Sequence, residues 1–340
     1  MAHRLSHFLA RLVRHEDLNR EEAFELLEAL LDAEATDAQI SGALVALASK
    51  GETVEELTGM AEGLRSRAVR LICKHDCYID TAGTGSSRAK TFNISTAAAF
   101  VIAGAGLPVA KHGNRAASSK SGSADLLTAL GVNVSAIPLA SEDALNNIGI
   151  CFMFAPLYHG ATARVAGIRR QLGIHTTFNL LGPLSNPAGA PRQIIGVWRK
   201  DLADKLAQVL AALGTERSWV VHGDDGLDEI TLAGNTYVAE AENGRVRTFQ
   251  IGPEDFGFEA RELDHLRGGD TDANAEIVSA VLAGERKDEA RALVIMNAAA
   301  ALFVGEAARD LGDGARIAAE AIDSGAAQQK LELLIDATVG

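Results

Sequence analysis

The chain has 340 residues, of which 47% are hydrophobic and 23% charged, and its formal net charge is −13. This balance is typical of a soluble globular protein with one large domain or two ordinary ones. The negative charge argues against nucleic acids and anionic membranes as general partners, because such partners need a positive face. Three cysteines do not make a disulfide framework and indicate reduced thiols, so we expect a cytoplasmic protein.

The first seventy residues predict a small helical domain. The N-terminal stretch has the spacing of an amphipathic helix rather than a signal peptide, and no stretch approaches the length of a membrane span. Three capping boxes mark helix starts, and they are formed by Asn19 with Glu22, Thr36 with Gln39, and Thr53 with Glu56. No chemical constellation occurs here, so we expect a packing or dimerisation unit.

From Cys77 onward, short apolar stretches alternate with helical ones. The strand candidates are CYIDTAGTG, LPVAKHG, GICFMFAP and RSWVVHGDDG. The helix candidates between the first three are NISTAAAFVIAGAG, which is apolar on all sides, and SADLLTALG. This alternation predicts an α/β fold with a mostly parallel central sheet flanked by helices, and ligands bind beyond the C-terminal strand ends of such sheets. The Pro/Gly-rich residues 182–193 are a candidate hinge, and the last eighty residues are predicted to be helical.

The stretch DTAGTGSSRAKTFNIST (residues 80–96) joins a strand to a helix through a glycine turn. Gly83 and Gly85 permit a tight turn, and the free N–H groups of a helix that starts near Asn93 attract anions. Further polar donors are Thr91, Asn93, Ser95 and Thr96. The stretch is not a Walker loop or a dinucleotide fingerprint, because the required lysine and the third glycine are missing. Taken alone, it fits a simple turn as well as an anion site.

The stretch KHGNRAASSKSGSAD (residues 111–125) gathers cations and small residues in an otherwise acidic chain. Lys111 ends an apolar strand, and Gly113 lets the backbone approach a ligand. The remaining donors include Asn114, Arg115, Ser118, Ser119, Ser121 and Ser123. Fixed cations and many donors on small residues suit a diphosphate. A solvated basic loop would explain the charge, but it explains less well why Lys111 and Asn114 follow an apolar strand directly.

Asp228 and Glu229 are adjacent in HGDDGLDEI, just after a predicted strand and a glycine turn. Mg²⁺ keeps several waters and binds through one or two carboxylates plus substrate phosphate. A solvent-exposed acidic pair is the common alternative. Beside two phosphate-binding loops, the Mg²⁺ site is the favoured interpretation.

Arg169 and Arg170 lie in a predicted helix within RVAGIRRQLGIHTTFNLLGPLSNP (residues 164–187). An arginine that faces a cleft can hold a carboxylate through two parallel hydrogen bonds. An arginine on a helix is more often a solvated surface residue, and the residues alone favour that alternative.

Four segments in this order, GTG…TFNIST, VAKHGNRAASSKSGSAD, FNLLGPLSNPAG and GLDEI, resemble the anthranilate phosphoribosyltransferase family over nearly the whole chain. The resemblance implies a helical domain (1–74, joined by helices from about 160–188) and an α/β domain (75–340). It places the active site at the hinge and implies a homodimer formed through the helical domain. The implied reaction is the Mg²⁺-dependent transfer of the ribosyl phosphate of phosphoribosyl diphosphate (PRPP) to the amine of anthranilate, which belongs to tryptophan biosynthesis.

The resemblance also implies roles for individual residues. PRPP is expected at Gly83, Ser86, Ser87, Thr91, Asn93, Ile94, Ser95, Thr96, Lys111, His112, Gly113, Asn114, Arg115, Ala116, Ala117, Ser118, Ser119 and Ser123. Anthranilate is expected at Gly83, Asn114 and Arg169, and Mg²⁺ at Ser95, Asp228 and Glu229. Lys111, Arg169 and His112 are the expected catalytic residues. We expect electrostatics and alignment to drive the reaction, and no general base is assigned.

The chain departs from the family pattern near both expected substrates. Ser86 and Ser87 stand where the family has Gly-Asp, and His175 stands where it has arginine. Gly160 and Gly167 replace prolines in the expected acceptor wall, which removes two conformational restraints. Three alternatives therefore stay open: a different aromatic amine as acceptor, a nucleoside phosphorylase-like enzyme, and an inactive paralogue.

Overall fold

The computed structural model describes residues 4–85, 91–116, 121–263, 266 and 268–339. Four helices open the chain, and α2, α3 and α4 begin at the predicted capping boxes. Gly51, with a φ of 83°, ends α3, in a conformation that favours glycine. The helices are α1 (Arg4–Leu12), α2 (Arg20–Leu31), α3 (Asp37–Lys50) and α4 (Val54–Arg67).

A seven-stranded sheet, with the order β3-β2-β1-β4-β5-β6-β7, organises the rest of the described chain. The strands are β1 (Ile79–Gly83), β2 (Val109–Gly113), β3 (Ile150–Phe154), β4 (Arg192–Gly196), β5 (Arg217–Gly223), β6 (Thr236–Glu242) and β7 (Arg245–Ile251). Strands β1 to β5 are parallel to one another. Strand β6 pairs antiparallel with β5, and β7 pairs antiparallel with β6. The predicted mostly parallel sheet is confirmed. The sequence did not predict β4, β6 or β7.

Helices cover both faces of the sheet. They are α5 (Ile94–Gly104), α6 (Ser123–Ala129), α7 (Pro138–Ile148), α8 (Ala155–Tyr158), α9 (Ala163–Leu172), α10 (Thr177–Leu184), α11 (Asp201–Ala212), α12 (Thr271–Leu282), α13 (Glu289–Val304), α14 (Leu311–Asp323) and α15 (Ala326–Thr338). Neighbouring residues of β4 show the two faces, since Ile194 packs in the core that contains α5 and α13, and Ile195 in the core that contains α11. The predicted all-round burial of α5 is confirmed.

Helices α9 and α10 pack with the N-terminal helices. Val165, Ile168 and Leu181 belong to the same hydrophobic core as residues of α1 to α4. The loop that follows α10 returns to the sheet at β4, so it connects the helical layer with the strand ends. The division of the chain at residues 74 and 75 stays a prediction. Within the described part of the chain, no helix combines the length and apolarity needed to cross a membrane.

Candidate active site

The first predicted anion loop lies at the carboxyl end of β1. Thr84 anchors the turn, because its backbone N–H and its hydroxyl both donate to the carbonyl of Gly196, at 2.9 and 3.0 Å. Gly85 has a φ of 69°, a conformation that favours glycine. A Cβ added to Gly83 would lie 3.5 Å from Asp228 Oδ2, so the turn lies directly against the acidic pair.

The start of α5 joins three parts of the site. The backbone N–H of Ser95 donates to Glu229 Oε1 at 3.2 Å. Asn93 donates through Nδ2 to the carbonyl of Ser121 at 3.3 Å, and its Oδ1 accepts from Asn274 at 3.3 Å. The predicted donor Asn93 therefore holds the second loop in place through its side chain.

The second loop leaves β2 at Gly113 in a space that only glycine fits. A Cβ there would lie 2.2 Å from Ser123 Oγ and 2.8 Å from Phe152 Cε2. Ser123 Oγ donates to the carbonyl of Asn114 at 3.3 Å, while the Asn114 side chain is exposed. The structure thus shows the backbone at Gly113 packed closely against the side chains of Ser123 and Phe152, and the predicted approach to a ligand stays a prediction.

Asp125 shapes the described part of the same loop. Its Oδ2 accepts from the backbone N–H groups of Ala116 and Gly122, at 2.9 and 3.0 Å. Its Oδ1 accepts from Arg115 at 2.9 Å. The Arg115 guanidinium, which the sequence predicts as a free cation for the diphosphate, already has a carboxylate partner.

Lys111 is buried at the end of β2, where its Nζ donates to the carbonyl of Thr81 and, at 3.3 Å, to Thr81 Oγ1. Burial lowers the pKa of Lys111, and the nearby carboxylates of Asp80 and Glu229 oppose that shift. Asp80 is fully buried on β1, and burial raises its pKa to about 6 against the opposing charge of Lys111. The Lys111 ammonium is therefore held by Thr81 at the edge of the expected diphosphate site.

Asp228 and Glu229 follow β5 and face the glycine turn. Burial and the neighbouring Asp228 carboxylate raise the pKa of Glu229. Two crowded carboxylates form a hard oxygen donor set that fits Mg²⁺. No cluster of three or more His, Cys, Asp or Glu side chains that suits a metal occurs in the described ranges. A Mg²⁺ ion here would therefore depend on water and phosphate oxygens for its remaining ligands.

Backbone carbonyls fix the tautomers of two buried histidines, His112 and His159, which we call the acceptor wall together with Arg169. His112 Nδ1 lies 3.2 Å from the carbonyl of Gly182, and His159 Nε2 lies 3.1 Å from the carbonyl of Ser185. A carbonyl only accepts, so each of these nitrogens carries the proton. Burial, followed by His159, lowers the pKa of His112 to about 3, and burial lowers that of His159 to about 4. The rings, 5.2 Å apart, are neutral, and in the described chain their other nitrogens have no hydrogen-bond partner.

Arg169 lies on α9 and is only partly exposed. Its Nη2 donates to Asn179 Oδ1 at 3.0 Å, and its guanidinium lies 5.6 Å from the centroid of the Phe178 ring. The buried Nε has no partner among the described residues. Arg170, its neighbour, is exposed. Of the two arginines, Arg169 is the one with the geometry for a bound carboxylate.

His175 stands after α9, where the family has arginine, and its side chain is exposed on the outside of this wall. Its ring lies 4.6 Å from that of Trp198. Burial, followed by the charges of Arg169 and Arg199, lowers the pKa of His175. Position 175 thus carries an imidazole ring that is tilted by 60° against the ring of Trp198.

The structure brings the two predicted loops and the acidic pair to one edge of the sheet. Among the other expected residues, Ile94 and Thr96 are buried, and the Thr91 hydroxyl donates to the carbonyl of Phe92. The Ile94 side chain is part of the hydrophobic core, so only its backbone is available to a ligand. Five expected residues lie outside the described ranges: Ser86, Ser87, Ala117, Ser118 and Ser119.

Sequence reasoning missed three polar residues that hold the site together. Asp80 is a fully buried charge in a strand, and the letters YIDTAG already displayed that anomaly. Asn186 is buried in the candidate hinge, and His159 is buried beside His112. For Asn186 and His159, nothing in the local pattern distinguished a buried partner from a surface residue.

Two family models match the chain, and both describe a glycosyl transferase family. Its helical bundle domain matches residues 6–68, and its a/b domain matches residues 75–328. An anthranilate phosphoribosyltransferase from Anaeromyxobacter dehalogenans is 51% identical over 334 residues, 98% of each chain.

Solved structures agree with these matches. Anthranilate phosphoribosyltransferase from Thermus thermophilus superposes with a TM-score of 0.91 at 37% identity, covering 98% of this chain and 99% of that one. The enzyme from Saccharomyces cerevisiae in complex with PRPP and Mg superposes with a TM-score of 0.89 at 28% identity, covering 98% and 97%.

The helical bundle, the α/β domain and the loops at its strand ends therefore define a glycosyltransferase, as the sequence predicts. Identity near one half over the full length narrows the class further. The chain belongs to the anthranilate phosphoribosyltransferase family.

Proposed function

We propose that this protein transfers the 5-phosphoribosyl group of PRPP to the amine of anthranilate and releases diphosphate, a step of tryptophan biosynthesis. The carrying observation is that the glycine turn after β1, the loop after β2 and the Asp228–Glu229 pair lie together at one sheet edge. The full-length similarity to enzymes that bear this name supports the same reaction.

The donor side would bind the phosphates through backbone N–H groups, hydroxyls and one fixed cation. The turn at Gly83 and the start of α5 offer N–H groups to an anion. The Lys111 ammonium is fixed by Thr81, and a direct contact with phosphate is part of the proposal. The oxygens of Ser95, Asp228 and Glu229 would hold Mg²⁺, whose charge stabilises negative charge on the diphosphate when it is bound.

In the proposed reaction, the bond from ribose C1 to the diphosphate oxygen breaks, and a bond from C1 to the amine nitrogen forms. The bonding electrons leave with the diphosphate, and the amine loses one proton. Preorganised donors that face the departing oxygens lower the barrier without moving during the reaction. The neutral amine is nucleophilic without prior deprotonation, so the protein's main task is alignment.

The acceptor side would hold anthranilate by its carboxylate and its ring. Arg169 offers a charged guanidinium that is already held by Asn179 and Phe178. Asn114 lies on the loop between the two sides, and its exposed side chain is available to the same ligand. His112 contributes a neutral ring whose buried Nε2 has a lone pair and no hydrogen-bond partner among the described residues. At a pKa of about 3 it is too weak a base to take a proton early, so its proposed role is to orient the amine.

We also propose a cytoplasmic homodimer that forms through the helical domain. Val45 on α3 exposes an apolar side chain, and so do Val13 in the turn after α1 and Ile174 in the loop after α9. Such residues favour burial against a second copy. Free cysteines at positions 73, 77 and 151 fit a reducing compartment. Analytical ultracentrifugation with and without Val45→Glu tests the dimer, which we expect this variant to weaken.

The deciding assay mixes the purified protein with PRPP, Mg²⁺ and anthranilate and follows the loss of anthranilate fluorescence. Enzyme-dependent and Mg²⁺-dependent loss is the expected result. Diphosphate release only with other aromatic amines would reassign the acceptor. Turnover of a nucleoside with phosphate would reassign the reaction to a phosphorylase, and no turnover at all would leave an inactive paralogue.

A further inference from the structure

The loop after α10 reaches into the sheet through one buried side chain, Asn186. Its Nδ2 donates to Asp80 Oδ2 at 2.7 Å and to the carbonyl of Ala110 at 2.9 Å. Its Oδ1 accepts from the backbone N–H of Ala188 at 2.9 Å. Every polar atom of this amide is used, and the side chain is only 3% exposed. Asn186 therefore joins the hinge loop to β1 and β2 in a fixed geometry.

Asp80 connects Asn186 to the end of β2 through two hydrogen bonds. Its Oδ2 is held by Asn186, and its Oδ1 accepts from the backbone N–H of His112 at 3.2 Å. Its charge also opposes the loss of charge from Lys111, the residue between Ala110 and His112. Because Asn186 binds the carbonyl of Ala110 and Asp80 binds the N–H of His112, the backbone is fixed on both sides of Lys111.

The same loop also holds the acceptor wall. The carbonyl of Gly182 accepts a hydrogen bond from His112 Nδ1, and the carbonyl of Ser185 accepts one from His159 Nε2. Residues 182–186 thus contact the donor strand through Asn186 and the acceptor wall through two carbonyls. A change in residues 182–186 is therefore expected to affect the binding of both substrates. Asn186 is the residue of this segment that contacts Asp80 and the carbonyl before Lys111.

We propose that Asp80 and Asn186 are positioning residues for the PRPP donor. Asn186 holds the Asp80 carboxylate, and the two side chains together fix the backbone on both sides of Lys111, which places its ammonium beside the diphosphate site. The inference rests on the proposed function for the identity of the donor. It adds that the loop after α10 sets the affinity for the donor through Asn186 and its partner Asp80, neither of which contacts a substrate.

The test measures the Kd of PRPP with Mg²⁺ by calorimetry, KM for both substrates, and Tm. The variants are Asn186→Ala, Asp80→Asn, Lys111→Met, and Asp80→Asn combined with Lys111→Met. Glu240→Gln is the matched control, because Glu240 is also a fully buried carboxylate, held by Arg217 and Trp219 at 2.9 and 2.8 Å, and it lies on β6. A purely structural role for Asp80 would give the pattern of this control: lower Tm with unchanged affinity.

We expect Asp80→Asn and Asn186→Ala to raise the Kd for PRPP about tenfold to a hundredfold, the range for lost hydrogen bonds to charged groups. KM for anthranilate should change less than about threefold. In the Lys111→Met background, Asp80→Asn should have little further effect on Kd, because it acts through the lysine. Equal effects in both backgrounds, or a fall in Tm alone, would overturn the proposal.

Two provisions keep the outcome decisive. If Asp80→Asn does not fold, Asn186→Ala decides alone, since it leaves every charge in place, and wild-type affinity in that variant overturns the inference. Inorganic diphosphate with Mg²⁺ is the second probe. If the wild-type protein binds it but does not consume anthranilate, the proposed function fails, and the diphosphate affinities of the variants still decide the inference.

Discussion

The donor side and the acceptor wall of the site are built in different ways. On the donor side, the polar side chains of Asn93, Lys111 and Asp125 are engaged with the protein itself. In the acceptor wall, buried atoms of His112, His159 and Arg169 have no partner within the described residues. Buried polar atoms are normally satisfied, so these atoms are candidates for hydrogen bonds to a polar ligand.

This difference indicates how each substrate is recognised. A diphosphate is large and highly charged, and its site must be rigid before it binds, because flexible donors would lose entropy on ordering. Anthranilate is small and nearly flat, with one carboxylate and one amine. Under the proposed function, a wall with a few unpartnered atoms would select it by the bonds it can complete, since analogues that lack those groups would leave the atoms unsatisfied.

The largest expected effect comes from the acidic pair. Replacing Asp228 and Glu229 together by alanine should lower kcat/KM by roughly a thousandfold or more, because the metal's charge stabilisation is worth several kcal/mol. Asp224→Ala, at an exposed position of the same loop, is the matched control and should retain near-normal activity. Steady-state rates over a range of Mg²⁺ concentrations provide the measurement. A double variant with unchanged Mg²⁺ dependence would remove the metal from this pair.

Arg169→Ala sharpens the comparison from the other side. We expect KM for anthranilate to rise about a hundredfold and KM for PRPP to stay within about threefold, since a lost bidentate charge-assisted contact costs about 2–3 kcal/mol. Arg170→Ala is the control, because its side chain is exposed and its backbone lies on the same helix. If Arg170→Ala gives the larger effect, the acceptor wall has been assigned to the wrong face of α9.

Sequence reasoning predicts the elements whose local signals agree with their final environment. The capping boxes at Asn19, Thr36 and Thr53 and the apolar helix α5 are examples, and all four are confirmed. Strand β4 was missed because it follows directly on a Pro/Gly-rich stretch, which masks a short strand. The hairpin of β6 and β7 was missed because these strands contain many polar residues. They pair at the end of the sheet, and this pairing is known only from the fold.

The same limit applies to the site. Lys111, Asp228 and Glu229 were found because their residue types carry chemistry next to glycine turns. Asp80 and Asn186 lie 106 positions apart in sequence and meet only in the folded sheet. Their role depends on burial and on mutual distance, and neither quantity is encoded in a local window.

The neutral histidines His112 and His159 contribute stability that is lost toward acid pH. Their folded pKa values, about 3 for His112 and about 4 for His159, lie below the unfolded value of about 6.5. Below pH 6.5 the unfolded chain binds protons that the folded chain does not, so folding weakens by roughly 1 kcal/mol per histidine at pH 5.5. Urea unfolding at pH 7.5 and 5.5 measures this loss as a difference between wild type and a variant without these histidines, because the raised pKa values of Asp80 and Glu229 give both proteins a contribution of opposite sign. The double variant with both histidines changed to glutamine should lose less, and His7→Gln, at an exposed position, should behave like wild type.

The smallest expected effect is at Arg115, and it tests whether the donor loop depends on its cations or on its internal bonds. The Arg115 side chain is half exposed and already paired with Asp125, so removing it forfeits a surface ion pair of no more than about 1 kcal/mol. Arg115→Ala should raise KM for PRPP less than about threefold. Asp125→Ala should raise it about tenfold, because it frees the two backbone N–H groups, of Ala116 and Gly122, that fix the loop. The reverse order would mean that the guanidinium leaves Asp125 for the phosphates when the donor binds, and the donor side would then be less preorganised than the acceptor wall.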